Sequence, residues 1–68
     1  MALTKSYVDY RMNRINTNIE FFGGFSNLSD EEKRQYKIFR DYLRVFAALK
    51  ELGLTDKDAE ASVEQFMV

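Results

Sequence analysis

The stretch that decides the fold is residues 29–53, SDEEKRQYKIFRDYLRVFAALKELG. Ser29 and Glu32 have the spacing of a capping box, and Gly53 is a residue that readily ends a helix. The apolar residues between them recur at helical spacing and cover an arc of roughly 200° on a helical wheel. One neighbouring helix needs an apolar stripe of only about 100°, so this pattern predicts a central helix over residues 30–52 that packs against two others.

The segment before the central helix predicts a first helix over residues 6–22. Ser6 and Asp9 have capping-box spacing, and Gly23 with Gly24 provides the stop. An apolar stripe runs along this helix at steps of 4, 3, 4 and 3 residues, and we expect it to face the central helix. The residues of this stripe are Val8, Met12, Ile15, Ile19 and Phe22.

The segment after the central helix predicts a short third helix over residues 56–67, with Thr55 as its N-cap. Its apolar face consists of Ala59, Val63, Phe66 and Met67. Loops as short as those between the three helices join antiparallel neighbours. The sequence therefore predicts an all-α fold in a single domain, residues 1–68: a compact three-helix arrangement with a long central helix and short loops.

The corner between the second and third helices carries a short motif. Within residues 48–63, the turn Leu52-Gly53-Leu54 is followed by an acidic, alanine-containing helix start and by Val63. This motif resembles that of ubiquitin-associated-like three-helix domains over a quarter of the chain. The resemblance implies a local helix–glycine–helix corner, and no function is carried over from it.

The composition of the 68 residues excludes several kinds of functional site. There is no cysteine, which rules out a disulfide or a thiolate metal site, and no histidine, the usual general base and commonest metal ligand. Residues 56–60 alternate carboxylates as calcium loops do, but they lack the central glycine and the glutamate at the twelfth position. We therefore predict that the protein is not an enzyme and has no catalytic residue, metal site or cofactor.

The sequence also bears on where the protein acts. No stretch approaches the roughly 18 consecutive apolar residues of a membrane span, and no signal-peptide pattern follows Met1. We expect a cytoplasmic protein without a membrane partner, or a component of a viral particle if its role is structural.

Large apolar residues are more numerous than so small a core requires: the chain is 46% hydrophobic and has six Phe and four Tyr. Tyr7, Tyr10 and Phe21 lie outside the stripe of the first helix, and Phe25 lies in the loop that follows. Aromatic residues are enriched at the centres of protein interfaces, although a small core also recruits them for the area that each buries. We predict that these four residues form a protein interface.

Four basic residues line one edge of the central helix. Lys33, Lys37, Arg40 and Arg44 are spaced 4, 3 and 4 residues apart, within an arc of roughly 60°. This basic stripe could bind an anionic partner, either an acidic protein surface or a phosphate backbone. It could also be a solvated face that pairs lightly with neighbouring carboxylates.

Charge is divided along the chain, although the net charge is only −1. Residues 1–50 carry nine Lys and Arg against six Asp and Glu, whereas residues 51–68 carry one against five. Contact between the basic part of one copy and the acidic part of another is one route to self-association. Chains this short that lack a disulfide often gain stability from a partner subunit, which favours self-association without requiring it.

These observations favour a small non-enzymatic protein-interaction module that self-associates as a homo-oligomer and binds a larger protein partner. Its profile is that of a phage-type accessory protein, inhibitor or regulator. One alternative is a nucleic-acid-binding protein that uses the basic stripe, together with Arg11 and Arg14. Another is a repeating structural subunit of a larger particle such as a virion.

Overall fold

The computed structural model describes residues 3–67, so residues 1, 2 and 68 of the predicted domain lie outside the described part. It contains three α-helices: α1 (Lys5–Phe22), α2 (Asp30–Glu51) and α3 (Asp56–Ser62). Single 3₁₀ turns follow α1 and α3, at Phe25–Asn27 and Val63–Gln65. No β-strand occurs within residues 3–67, and the extents are 38 × 20 × 18 Å. The predicted all-α three-helix arrangement is confirmed.

Helix α2 is the central element because it packs against both α1 and α3. Its first turn is capped by Ser29, whose hydroxyl accepts a hydrogen bond from the Glu32 backbone N at 3.2 Å. The same hydroxyl donates to the Glu32 carboxylate at 3.3 Å, so Ser29 is the N-cap that the sequence predicts and it contacts Glu32 directly. The helix ends beside Gly53, which adopts a left-handed φ of 98°.

The first helix begins at Lys5, one residue before the predicted start, and its cap lies two residues before the predicted Ser6. Thr4, and not Ser6, is the N-cap: its hydroxyl accepts from the Tyr7 backbone N at 3.2 Å. The backbone N–H groups on either side of Thr4 donate to carboxylates far along the chain. Lys5 N donates to Glu60 at 3.1 Å, and Leu3 N donates to Glu64 at 3.0 Å. These contacts with the α3 region fix the chain before Ser6, which therefore lies inside the helix.

The core lies between the three helices and is built around α2. Its buried members are Val8, Ile15, Leu28, Phe39, Tyr42, Phe46, Leu49, Ala59 and Val63. Met12 and Ile19 pack against this cluster as expected, but Phe22 remains 51% exposed. Phe22 is the last residue of α1. The next large apolar residue that is buried in the core is Leu28, which follows the 3₁₀ turn.

The third helix is shorter than predicted. It ends at Ser62, and the chain continues as a 3₁₀ turn in which Phe66 N donates to Val63 O at 3.1 Å. The α-helical spacing on which the apolar face depends therefore stops at Ser62. Val63 is buried and Met67 packs against the core, but Phe66 is 60% exposed.

Candidate protein-binding surfaces

The outward face of α1 carries three of the four aromatic residues that are predicted to form an interface. Tyr7, Tyr10 and Phe21 are 47%, 56% and 80% exposed. With Arg14 and Thr17 they are spaced 3, 4, 3 and 4 residues apart, within an arc of roughly 80°. We call these five residues the outer stripe. The fold leaves this aromatic and polar face at the surface.

Two rings of the outer stripe are held by neighbours. The Tyr7 ring meets the buried Phe39 ring edge-on, with the centroids 6.1 Å apart. The Arg14 guanidinium lies 5.9 Å from the centroid of the Tyr10 ring, and it donates a hydrogen bond to the Tyr10 hydroxyl at 3.3 Å. Rings that are already oriented lose less conformational entropy when a partner binds.

A shallow hollow of about 360 Å³ lies on the outer stripe between Tyr10 and Thr17 and reaches one polar residue on each side of it. Its lining residues are Tyr10, Asn13, Arg14, Thr17 and Asn18. The Asn18 amide donates to the Glu32 carboxylate of α2 at 2.8 Å, which ties this side of α1 to the central helix. Amide, hydroxyl and guanidinium groups here could orient a partner that docks on the neighbouring rings.

Phe25, the fourth predicted interface residue, lies apart from the outer stripe and is half-buried. Its ring packs against that of Tyr36, with the centroids 5.1 Å apart. Ile19, Phe25, Tyr36, Lys37 and Arg40 line a hollow of about 450 Å³, which we call the aromatic–cationic hollow. The structure therefore brings one residue of the predicted aromatic interface together with two residues of the predicted basic stripe.

The corner after α1 fixes the position of Phe25. Gly23 adopts the left-handed conformation, with φ 82°, and Gly24 N donates back to Ile19 O at 2.9 Å. The Asn27 side-chain amide donates to Phe22 O at 2.7 Å and satisfies a second carbonyl at the helix end. The corner is thus hydrogen-bonded on both sides of Phe25.

The predicted basic stripe is not uniform. Arg44 forms a salt bridge with Asp41, and Lys33 is half-buried. The three salt bridges within residues 3–67 involve neither Lys37 nor Arg40. A further shallow hollow of about 310 Å³ is lined by Lys37, Arg40, Asp41 and Arg44, so a carboxylate lies among the cations. The stripe consequently presents less positive charge than the four basic residues suggest.

Four further large apolar side chains are exposed although their spacing predicts them on packed helix faces. They are Phe22, Ile38, Leu52 and Phe66. Phe22 meets the Phe21 ring edge-on, with centroids 5.0 Å apart, so these two form a small exposed aromatic pair at the end of α1. Ile38 lies on the wheel between the half-buried Val45 and the buried Leu49, and Leu52 caps the end of α2, so no signal in the spacing separates either residue from the packed ones.

The hydroxyl of Tyr42 lies between the core and the acidic side chains of the α3 region. Burial raises the pKa of the Tyr42 hydroxyl, and the nearby carboxylates of Glu60, Glu64 and Asp9 raise it further. This hydroxyl donates to the Leu3 backbone oxygen at 3.4 Å. Tyr42 therefore stays neutral between the core and a cluster of negative charge.

An exposed ion pair closes the corner between α2 and α3. Lys50 Nζ lies 2.6 Å from the Asp56 carboxylate. This hydrogen bond, and then the charge of Lys50, lowers the pKa of Asp56. The pair joins the last turn of α2 to the first turn of α3.

Within residues 3–67, no three acidic side chains are placed so that they could hold a metal ion. None of the helices in this part of the chain is both long and apolar enough to cross a membrane. No protein-family model, curated protein or solved structure matches the chain. The surfaces described above are therefore the basis on which a function is proposed.

Proposed function

We propose that the chain is a non-enzymatic protein-interaction module that associates with itself and binds a larger protein partner, as small phage-type accessory proteins, inhibitors or regulators do. The observation that carries this proposal is the outer stripe. Its three aromatic side chains are 47% to 80% exposed, and the core within residues 3–67 is formed by nine other apolar residues. Exposed apolar groups that share one face are a mark of protein interaction sites.

The energy available from the outer stripe favours a large partner. Full burial of one exposed large apolar side chain contributes about 1.5–3 kcal/mol. The three rings are already partly buried, so together they contribute about 3–5 kcal/mol. The loss of translational and rotational freedom on association costs about 4–15 kcal/mol. The rings alone therefore balance this cost only in part, and further contacts are needed. The polar hollow beside Tyr10 and Arg14 offers such contacts.

Nucleic-acid binding by the basic stripe is the main alternative, and the salt dependence of binding separates the two. Affinity for a phosphate backbone falls steeply with salt, whereas burial of aromatic rings depends on salt only weakly. Asp41 lies among the cations of the stripe and pairs with Arg44, so fewer than four cations remain to follow a phosphate backbone, which favours a protein partner on the outer stripe.

The test compares the wild-type chain with Tyr10→Ala/Phe21→Ala and with Leu52→Ala, a control that removes an exposed apolar side chain elsewhere. Each is used to capture proteins from the native source at low and high salt, with and without nuclease treatment. The captured protein is then purified and its affinity for each variant is measured by calorimetry. We expect binding to wild type and control that survives high salt, and a loss of at least about tenfold for the double variant.

Equal affinity of the double variant and wild type would contradict the assignment to the outer stripe. Binding that disappears with nuclease or at high salt would instead support the nucleic-acid alternative. The stoichiometry of the complex separates the remaining roles, because a regulator binds at one or two copies per target and a structural subunit repeats.

A further inference from the structure

The aromatic–cationic hollow has the composition of a receptor for one apolar side chain that is flanked by an acid. Ile19, Phe25 and Tyr36 supply apolar walls, and Lys37 and Arg40 supply the cations. Its volume is about 450 Å³, and a closed cavity of about 150 Å³ is enough to take up benzene in another protein. The hollow therefore has room for a phenyl ring, with a carboxylate beside the two cations.

The same chain carries a segment with that chemistry. Phe66 is 60% exposed, and Glu64, two residues before it, is also exposed. One oxygen of the Glu64 carboxylate accepts from Leu3 N, which leaves the other oxygen able to accept from a cation. Glu64 lies in the 3₁₀ turn and Phe66 directly follows it. The buried Val63 anchors this turn, so the ring and the carboxylate project from a fixed support.

The distribution of charge supports a contact between these two surfaces in different copies. The hollow belongs to the part of the chain in which basic residues exceed acidic ones, nine against six. The segment around Phe66 belongs to residues 51–68, in which acidic residues exceed basic ones, five against one. Opposite charges would meet in such a contact, which favours one docking orientation over others.

We propose that the aromatic–cationic hollow of one copy takes up the Phe66 ring of a second copy, with Glu64 paired with Lys37 and Arg40. This inference rests on the proposed function, of which self-association is a part. The hollow and the Phe66 segment are different surfaces, so the contact is head-to-tail. Each copy then has one free hollow and one free ring, and assembly continues to short chains or closes into a ring.

The test uses two variants that each remove one half of the contact. Lys37→Glu/Arg40→Glu reverses the charge of the hollow and leaves Phe66 intact. Phe66→Ala/Glu64→Gln removes the ring and the charge, and keeps an oxygen that accepts from Leu3 N. Arg34→Glu/Lys57→Glu, which changes two exposed cations outside the hollow, is the charge control.

Sedimentation velocity of the full chain gives the outcomes. We expect wild type and the charge control to associate, and each of the two variants alone to associate at least about tenfold more weakly. An equimolar mixture of the two should form a dimer that grows no further, because it has one intact hollow and one intact ring. Variants that associate like wild type, or a mixture that stays monomeric, would overturn the proposal.

A second measurement needs no substitution. On dilution of isotope-labelled wild type, the NMR amide signals around Phe25 and Lys37 should shift together with those around Glu64 and Phe66. Concentration-dependent shifts confined to other residues would overturn the proposal. An oligonucleotide that binds in the hollow without weakening self-association would also overturn it. Self-association that survives both variants would leave the proposed function standing and remove only this assignment. A wild-type chain that stays monomeric to millimolar concentration would contradict both.

Discussion

The ring of Phe25 packs against the ring of Tyr36, with the centroids 5.1 Å apart and the planes inclined by 58°. This contact joins the 3₁₀ turn after α1 to the first half of α2. It also forms one wall of the aromatic–cationic hollow. Phe25 therefore supports the fold as well as lining a surface, unlike the Phe21 ring of the outer stripe, which is 80% exposed.

That difference predicts which aromatic substitutions destabilise the fold. Phe25→Ala removes a half-buried ring and leaves Tyr36 without its neighbour, so the free energy of unfolding should fall by about 1–3 kcal/mol. Phe21→Ala changes an 80% exposed side chain and should alter it by less than about 0.5 kcal/mol. Urea unfolding curves measure both. Equal effects of the two substitutions would contradict the structural role of Phe25.

The corner after α1 predicts a difference between its two glycines. Gly24 has φ 146° and ψ 159°, a region that only glycine adopts readily, and a Cβ there would meet nothing within 4 Å. Gly24→Asn should therefore cost about 1–3 kcal/mol through backbone strain alone. Gly23→Asn should cost less, because Asn tolerates the left-handed conformation that Gly23 adopts. Thermal unfolding of both variants gives the order, and the reverse order would contradict this backbone geometry.

The position of Tyr42 predicts a loss of stability at high pH. Its folded-state pKa is raised above the unfolded value of 10.0, so its contribution is fully present below that pH and is lost as the pH rises through the raised pKa. Tyr42→Phe removes this titration and one hydrogen bond, so it should lower stability by about 0.5–1.5 kcal/mol at neutral pH. As the pH rises above 10.0, the Tyr42→Phe variant should lose less stability than wild type does. Chemical denaturation across this range tests the prediction, and parallel pH profiles would contradict it.

The ion pair between α2 and α3 predicts a shift in a single titration. Lys50 lowers the pKa of Asp56. The pair therefore stabilises the fold at a pH above the unfolded pKa of Asp56, and this stabilisation is lost as the pH falls through the folded-state pKa. Lys50→Met should raise the pKa of Asp56 toward its ordinary value of 3.8, as followed by NMR of the carboxyl carbon. Lys57→Met, a neighbouring cation outside the pair, is the control and should leave that pKa in place.

The central helix could be predicted from local signals. Ser29 and Glu32 interact within one turn, and the wide apolar arc follows from spacing alone. The start of α1 could not, because Thr4 and Ser6 offer the same capping chemistry. The choice between them depends on hydrogen bonds that the Leu3 and Lys5 backbone N–H groups donate to Glu64 and Glu60, more than 50 residues further along the chain.

The candidate surfaces divide in the same way. Helical spacing places Tyr7, Tyr10 and Phe21 off the buried stripe, and the structure shows all three exposed; that they bind a partner stays a prediction. The aromatic–cationic hollow needs residues from α1, α2 and the turn between them. Its shape depends on how the corner at Gly24 directs Phe25 onto Tyr36, which the spacing of residues along a helix does not specify.

Self-association of the wild-type chain is the most direct test of the claim that its exposed aromatic surfaces exist to contact proteins. Sedimentation equilibrium from tens of micromolar to millimolar concentration measures it without any substitution. We predict an average mass that rises with concentration above the 8.0 kDa of one chain. A mass that stays at 8.0 kDa across the whole range would contradict the account.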